Sequence, residues 1–333
     1  MLLFNRERLL IPLISALLLV TVGCGGDEVG SINLAPQIFV FEVESDIVEP
    51  GSQVPVTIEV ADLEGNPITF EWSATGGTIS GDLTGALWTA PEQERKYQIE
   101  LSVSDGAKST TSTIDIQVWR TRPGNYYPLA VGNRWTYRDD EGNRIIFAII
   151  DKIQIHLSED ELIDSFVLEK SSTDENLENV KNYSYIGQNF NEDGVVNGIV
   201  QHAQNIASGT DGTMLFLPFL PLYNFPLIPG NKWATSFQAE IVPERLPLGN
   251  GLDEFEVLSE ETVTVPAGTF NNVFQVQESF RWTFFDAQDL DITVVKKWLA
   301  PDVGIVKFTQ LQTRFNVTVE VFFELESFEL LPS

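Results

Sequence analysis

A chain of 333 residues is long enough for two globular units, and its 43% hydrophobic and 11% aromatic content is too apolar for a disordered tail. Asp and Glu outnumber Lys and Arg by 48 to 20, giving a formal charge of −28. Such a surface repels phosphate backbones, and with no Lys/Arg cluster to offset it nucleic-acid binding is excluded; the same repulsion favours a soluble monomer.

Residues 1–23 read as an export signal. Arg6 and Arg8 form a positive n-region, Leu9 to Val22 a short apolar h-region, and Gly23 the small residue before a cleavage point. The 14 positions of the h-region fall short of the roughly 20 needed to cross a bilayer as a helix. The one cysteine of the chain, Cys24, follows directly. The segment TVGC resembles the bacterial lipoprotein signal, in which this thiol is lipidated and becomes the new N-terminus. It departs from that pattern at Thr21, where the family carries an aliphatic residue. The resemblance implies a membrane anchor through the N-terminal lipid, and several acyl chains make such an anchor effectively permanent. No Asp follows Cys24, which by the family's enterobacterial rule points to the outer membrane. A single cysteine also means no intrachain disulfide. Residues 24–35, with Gly25, Gly26 and Gly30, read as a flexible tether.

From 36 to 119, apolar residues recur with period two. Val54, Val56, Ile58 and Val60 form one such row; Ile68, Phe70 and Trp72, then Ile99, Leu101 and Val103, then Ile114, Ile116 and Val118 form others. The intervening EPGS, DLEGNP, TGGTISGD and SDGA are turn-forming. Short strands at this spacing predict a β-sandwich. The run VEPGSQVPVTIEVADLEGNPITFEWSATGG, followed by VSDG, resembles the immunoglobulin-like domains of PKD type. The resemblance implies that Trp72 is the core Trp of a central strand and that the domain is an extracellular spacer or interaction module. Asp62, Glu64 and Asn66 alternate in one loop, and Asp105 lies in another. Oxygen side chains so spaced suit calcium as a cofactor, and they equally suit Asx turns, the simpler explanation.

RTRPGN, 120–125, reads as a linker. Residues 126–333 predict a larger domain of long, curved antiparallel strands, half-barrel-like, so that the whole chain is all-β with very little helix. Its strands include the rows Val276, Phe280, Trp282, Phe284 and Phe315, Val317, Val319, Val321, Phe323, Leu325; SEDELIDS, 158–165, suggests at most a turn of helix. The stretch YPLAVGNRW, ending at Trp135, returns as FPLIPGNKW, ending at Trp233. Each copy leads from an aromatic and a Pro through Gly-Asn to a basic residue and a Trp, the grammar of a turn feeding a strand. Both Trp are therefore expected to be largely buried. In NFNEDGVVNG, Asn189, Asn191 and Asp193 occupy the first three ligand positions of a calcium loop, but Val200 stands where its bidentate carboxylate belongs, and Asp-Gly is a hairpin signal. The strip from Met214 to Gly230 carries Pro218, Pro221, Pro226 and Pro229, which argue against both a helix and a central strand. Its Leu215, Phe216, Leu217, Phe219, Leu220, Leu222 and Phe225 either cover the sheet or line a groove for an apolar ligand. The order YYPLAVGNRWTY, NEDGVV, LPFLPLYNFPLIPGNKW, ETVTVPAGTF, KWLAPDVGIVK is similar to a group of secreted or lipid-anchored bacterial proteins of unknown function. That resemblance implies an extracytoplasmic β-domain related to the half-barrels of lipoprotein carriers.

Chemistry-bearing patterns are sparse. His156 and His202 are the only histidines, neither lies in a catalytic motif, and no zinc spacing or phosphate loop occurs. The expectation is a non-enzymatic, lipid-anchored envelope protein that presents a β-domain to a protein or glycan partner. The alternatives are a carrier of a lipid or other apolar ligand, and a glycoside hydrolase or carbohydrate-binding protein.

Overall fold

The computed structural model describes residues 33–156, 161–173, 181–205, 213–242, 244–284, 290–314 and 317–331. The export signal, Cys24, most of the tether and Phe315 lie outside them. No helix occurs among the described residues, and where SEDELIDS suggested a helical turn its second half opens a strand. The chain divides into two compact units between Val118 and Trp119.

The first unit has eight strands: β1 Gln37–Val43, β2 Ile47–Val48, β3 Gln53–Ala61, β4 Thr69–Ala74, β5 Thr78–Asp82, β6 Gly85–Thr89, β7 Arg95–Ser104 and β8 Ser109–Val118. They form two four-stranded sheets, ordered β1-β3-β6-β5 and β2-β8-β7-β4. The period-two rows bury Val54, Val56 and Ile58 of one sheet with Ile99, Leu101 and Val103 of the other, each burial contributing about 1.5–3 kcal/mol. The Trp at the centre of this core is Trp88, which donates its indole N–H to Gly76 O at 2.9 Å and packs on Tyr97. Trp72 is only half-buried because β4 is an edge strand of its sheet.

The second unit has twelve: β9 Arg134–Arg138, β10 Arg144–His156, β11 Leu162–Ser172, β12 Asn182–Phe190, β13 Val196–Asn205, β14 Thr213–Asn224, β15 Lys232–Val242, β16 Leu246–Val265, β17 Gly268–Phe284, β18 Leu290–Ala300, β19 Gly304–Arg314 and β20 Val317–Glu329. Each pairs antiparallel with the next, and β20 returns to β9 through Leu325↔Tyr137 and Phe328↔Trp135. The sequence anticipates a half-barrel curve; the sheet goes further and closes, which leaves no free edge. Lys297 on β18 lies 5.9 Å from the ring of Tyr223 on β14, across the ring of strands, so both point into the enclosed space. By register, Val276, Val257 and Phe308 point inward with Lys297, while Glu254, Glu256, Gln275, Gln277 and Lys296 alternate outward. On these strands the polar-out, apolar-in alternation is the reverse of that in a bilayer-spanning barrel.

The nine-residue echo is one device used twice. Gly132 N–H donates to Ile149 O (2.8 Å) and Ile149 N–H returns to Asn133 O (2.9 Å); Gly230 N–H donates to Val257 O (2.7 Å) and Val257 N–H returns to Asn231 O (3.0 Å). Both glycines have positive φ, 103° and 92°, which only Gly adopts without strain. Trp135 is buried and donates to Val303 O at 2.6 Å; Trp233 is half-buried and donates to Pro221 O at 2.6 Å. The copies open β9 and β15, six strands apart in a ring of twelve.

The proline strip corrects the sequence expectation. Its part from Met214 to Asn224 lies in β14, paired with β13 on one side and β15 on the other. The ladder to β15 ends at Leu217, immediately before Pro218, which has no N–H to continue it. Prolines thus set where the ladder stops, and the Trp233 indole bridges the gap beyond.

Candidate functional site

A cleft of about 540 Å³ opens in the second unit where RTRPGN leads into β9. That segment is hydrogen-bonded to the barrel through Arg122 and Asn125. The Arg122 guanidinium forks onto Glu260 at 2.8 and 2.9 Å, donates to Arg120 O at 2.8 Å, and lies 4.7 Å from the Trp119 ring centroid. Asn125 N–H donates to Asp302 Oδ1 (2.8 Å), and Asp302 N–H donates back to Asn125 O (2.9 Å). Tyr126 packs edge-on against Phe274 and donates to Asn272 O at 3.1 Å. The facing wall comes from the β12–β13 hairpin and from Phe225 to Leu227. Trp119, 8% exposed, lines this cleft, and its indole N–H has no hydrogen-bond partner.

A second cluster lies inside the barrel. Asp253, Glu278 and Lys297 each replace an apolar residue in the inward row of three successive strands. Lys297 Nζ donates to Glu278 Oε2 at 2.5 Å. Burial acts to lower the Lys297 pKa, but Glu278 beside it holds the ammonium above its ordinary range. Asp253 is 0% exposed, and neither carboxyl oxygen has a hydrogen-bond partner. Burial, with the charge of Glu278 second, pushes its pKa up to about 9, so it is a neutral acid at pH 7. Tyr127 packs on Tyr223 at 5.3 Å, and burial pushes its pKa up to about 12. The sequence carried a signal for these residues that periodicity alone passes over: a charge standing in the apolar phase of a strand, as in Val295–Lys297–Leu299 and Val276–Glu278–Phe280.

The structure also unites Ser165 and His202, far apart in sequence, at 2.7 Å through Nδ1. Both are buried, the imidazole rests on Phe219 at 4.5 Å, and its far edge abuts Gly187. Burial lowers the His202 pKa to about 4. With no third group orienting the ring among the described residues, and Gly187 and Phe219 packed on it, the pair reads as a core contact.

The apolar strip is packed. Phe216 meets Phe237 edge-on at 5.4 Å and joins Leu220 and Trp282, while Leu215 packs with Ala203 and Ile155 on the opposite phase. Leu222 is buried, and Leu217, Phe219 and Phe225 are half-buried. A cavity beside Tyr137, Phe147 and Ile149 holds about 20 Å³, the volume of one water and too small for an acyl chain. Asn189, Asn191 and Asp193 are exposed, and Asn191 Oδ1 accepts from Asp193 N–H and Val195 N–H, closing the β12–β13 hairpin. In the first unit, Asn33 gathers the acidic loops, donating to Asp105 Oδ2 at 2.7 Å and accepting from Asn66 Nδ2 at 2.7 Å, while Glu64 accepts from Leu34 N–H. Asp62 Oδ1 accepts from Glu64 N–H and Asn66 N–H, and its Oδ2 has no partner. No group of three or more His, Cys, Asp or Glu able to hold a metal occurs among the described residues.

The two sheets of the first unit invite comparison with known sandwiches, and residues 38–118 match the PKD domain family. The first unit is a PKD domain. Seventy-five residues, 21% of this chain, are 39% identical to part of Chitinase A of Pseudoalteromonas piscicida, and they span only 9% of that enzyme. Among solved structures, a candidate lipoprotein of Parabacteroides distasonis and a candidate exported protein with a YmcC-like fold from Bacteroides fragilis are each 15% identical. Each covers 62% of this chain and all of its own, with TM-scores of 0.32 and 0.31.

Proposed function

We propose that this is a non-enzymatic protein of the bacterial cell envelope, anchored by lipid on Cys24 and facing water from the outer membrane. Its PKD domain acts as a spacer, and its barrel is the recognition module for a protein or glycan partner. The observation that carries the recognition role is the ligand-sized cleft at Trp119, since clefts of roughly 300–1,000 Å³ with an apolar wall and a few polar groups are the common form of a binding site. The polar outer face of β16, β17 and β18 supports a domain held in water. The TVGC signal supports the anchor, and the buried Ser165–His202 pair supports the non-enzymatic reading.

The test has two parts. Labelled palmitate should enter the native protein and not Cys24→Ser; equal labelling of both defeats the anchor. A photo-reactive residue in place of exposed Val195, at the cleft wall, should cross-link an envelope component in cells, whereas one in place of exposed Ile150 on β10 should not. Equal yields from both positions would remove the recognition role.

A further inference from the structure

We infer that the cleft at Trp119 binds an uncharged saccharide, held by the amides of Asn125, Asn191 and Asn197 and seated on the apolar wall of Phe225 and Pro226. The inference rests on the recognition role proposed for this cleft and names the class of its ligand.

Charge comes first. Among the residues lining the cleft, Arg122 alone is charged, and its fork is already taken up by Glu260 and the Arg120 carbonyl. The lining therefore offers no uncompensated charge to an ionic ligand, and the −28 of the whole chain disfavours an anion further.

Hydrogen bonding comes second. Asn125 and Asn191 use their Oδ1 atoms on nearby backbone N–H groups, which leaves each Nδ2 without a partner; the whole Asn197 amide also has none among the described residues. The Trp119 N–H is unpartnered as well. These four side-chain donor groups call for a ligand rich in neutral oxygen acceptors. An acyl chain seated here would desolvate those amides and leave them unpaired.

Shape comes third. Val195 is 60% exposed, Pro226 is exposed and Phe225 half-buried, so one wall is apolar and reachable. A pyranose ring combines these demands: its C–H face suits such a wall, and its hydroxyl and ring oxygens lie around the edge where the amides are.

The experiment uses the full mature chain carrying Cys24→Ser, titrated calorimetrically with neutral cello- and chito-oligosaccharides, an acidic uronate oligosaccharide and an uncharged hexapeptide. At least one neutral oligosaccharide should bind. Trp119→Phe, which keeps the ring and removes the N–H, and Asn197→Ala, at an exposed side chain, should each weaken it about tenfold, the effect of losing one neutral hydrogen bond. Circular dichroism confirms that both variants fold. Absence of neutral-saccharide binding at millimolar concentration, preference for the acidic sugar, or affinity unmoved by both substitutions overturns the inference. Hexapeptide binding that these substitutions weaken, without saccharide binding, overturns the ligand class while leaving the recognition role standing. Loss of the Val195 cross-link in cells removes both.

Discussion

Asp253→Asn should flatten the alkaline side of the protein's stability curve. Asp253 sits fully buried on β16 with no hydrogen-bond partner, and burial, aided by the charge of Glu278, raises its pKa to about 9. In the unfolded chain the value is about 3.9. Between the two, the folded protein keeps a proton that the unfolded chain has released. The contribution is therefore fully present below about pH 4 and is lost as pH rises, at about 1.4 kcal/mol per pH unit. His202 acts with the opposite sign: burial lowers its pKa to about 4, against about 6.5 unfolded, so its contribution is lost as pH falls through that window. The two slopes oppose each other between about pH 4 and 6.5 and largely cancel. Above pH 7 Asp253 acts alone of the two, and Tyr126 and Tyr127, raised to about 12, stay protonated. From pH 7 to 8.5 the expected loss is about 2 kcal/mol. Asn has the shape of the neutral acid and cannot ionise. Urea unfolding followed by tryptophan fluorescence at pH 7, 7.75 and 8.5 measures this directly. The native protein should lose about 2 kcal/mol more than Asp253→Asn across the range, and the variant should be the more stable at pH 8.5. Parallel slopes for the two proteins would refute the reasoning.

Gly187→Ala should destabilise the barrel by about 1–3 kcal/mol, because its Cβ would collide with the His202 ring, which Ser165 and Phe219 hold in place; an unchanged melting temperature would show that the ring has room to move. Calcium is expected to leave the melting temperature of the PKD domain unchanged, because the acidic loops close as Asx turns: Asp105 is held by the Asn33 amide, and Asp62 Oδ1 by the Glu64 and Asn66 N–H groups. A melting temperature that rises with calcium and falls back with chelator, by up to about 2.7 kcal/mol of stability at a hundredfold excess over Kd, would overturn the turn assignment.

Much of the fold is legible in residue order because it is local. Period-two rows such as Val54, Val56, Ile58 bury the face they predict, and Gly132 and Gly230 occupy the positive-φ turn that their Gly-Asn context requires. The PKD strands and the turn that feeds each echoed Trp need no long-range information. The proline strip misleads for a physical reason. Proline forbids only the hydrogen bonds that its own nitrogen would make, and β14 places Pro218 where its ladder to β15 has already ended.

The sequence by itself determined that the chain is all-β and that the echo is a turn into a strand. Alternation names two faces of a strand without saying which is enclosed. Only tertiary structure decided that, through the return of β20 to β9 across nearly 190 residues of chain, Tyr137 to Leu325. Closure turns Asp253, Glu278 and Lys297 inward to meet Tyr223. Docking of Arg122 on Glu260 brings Trp119 beside the β12–β13 hairpin to make the cleft. Both sites are assembled from residues distant in sequence, so pairing and packing, which no local pattern records, create them.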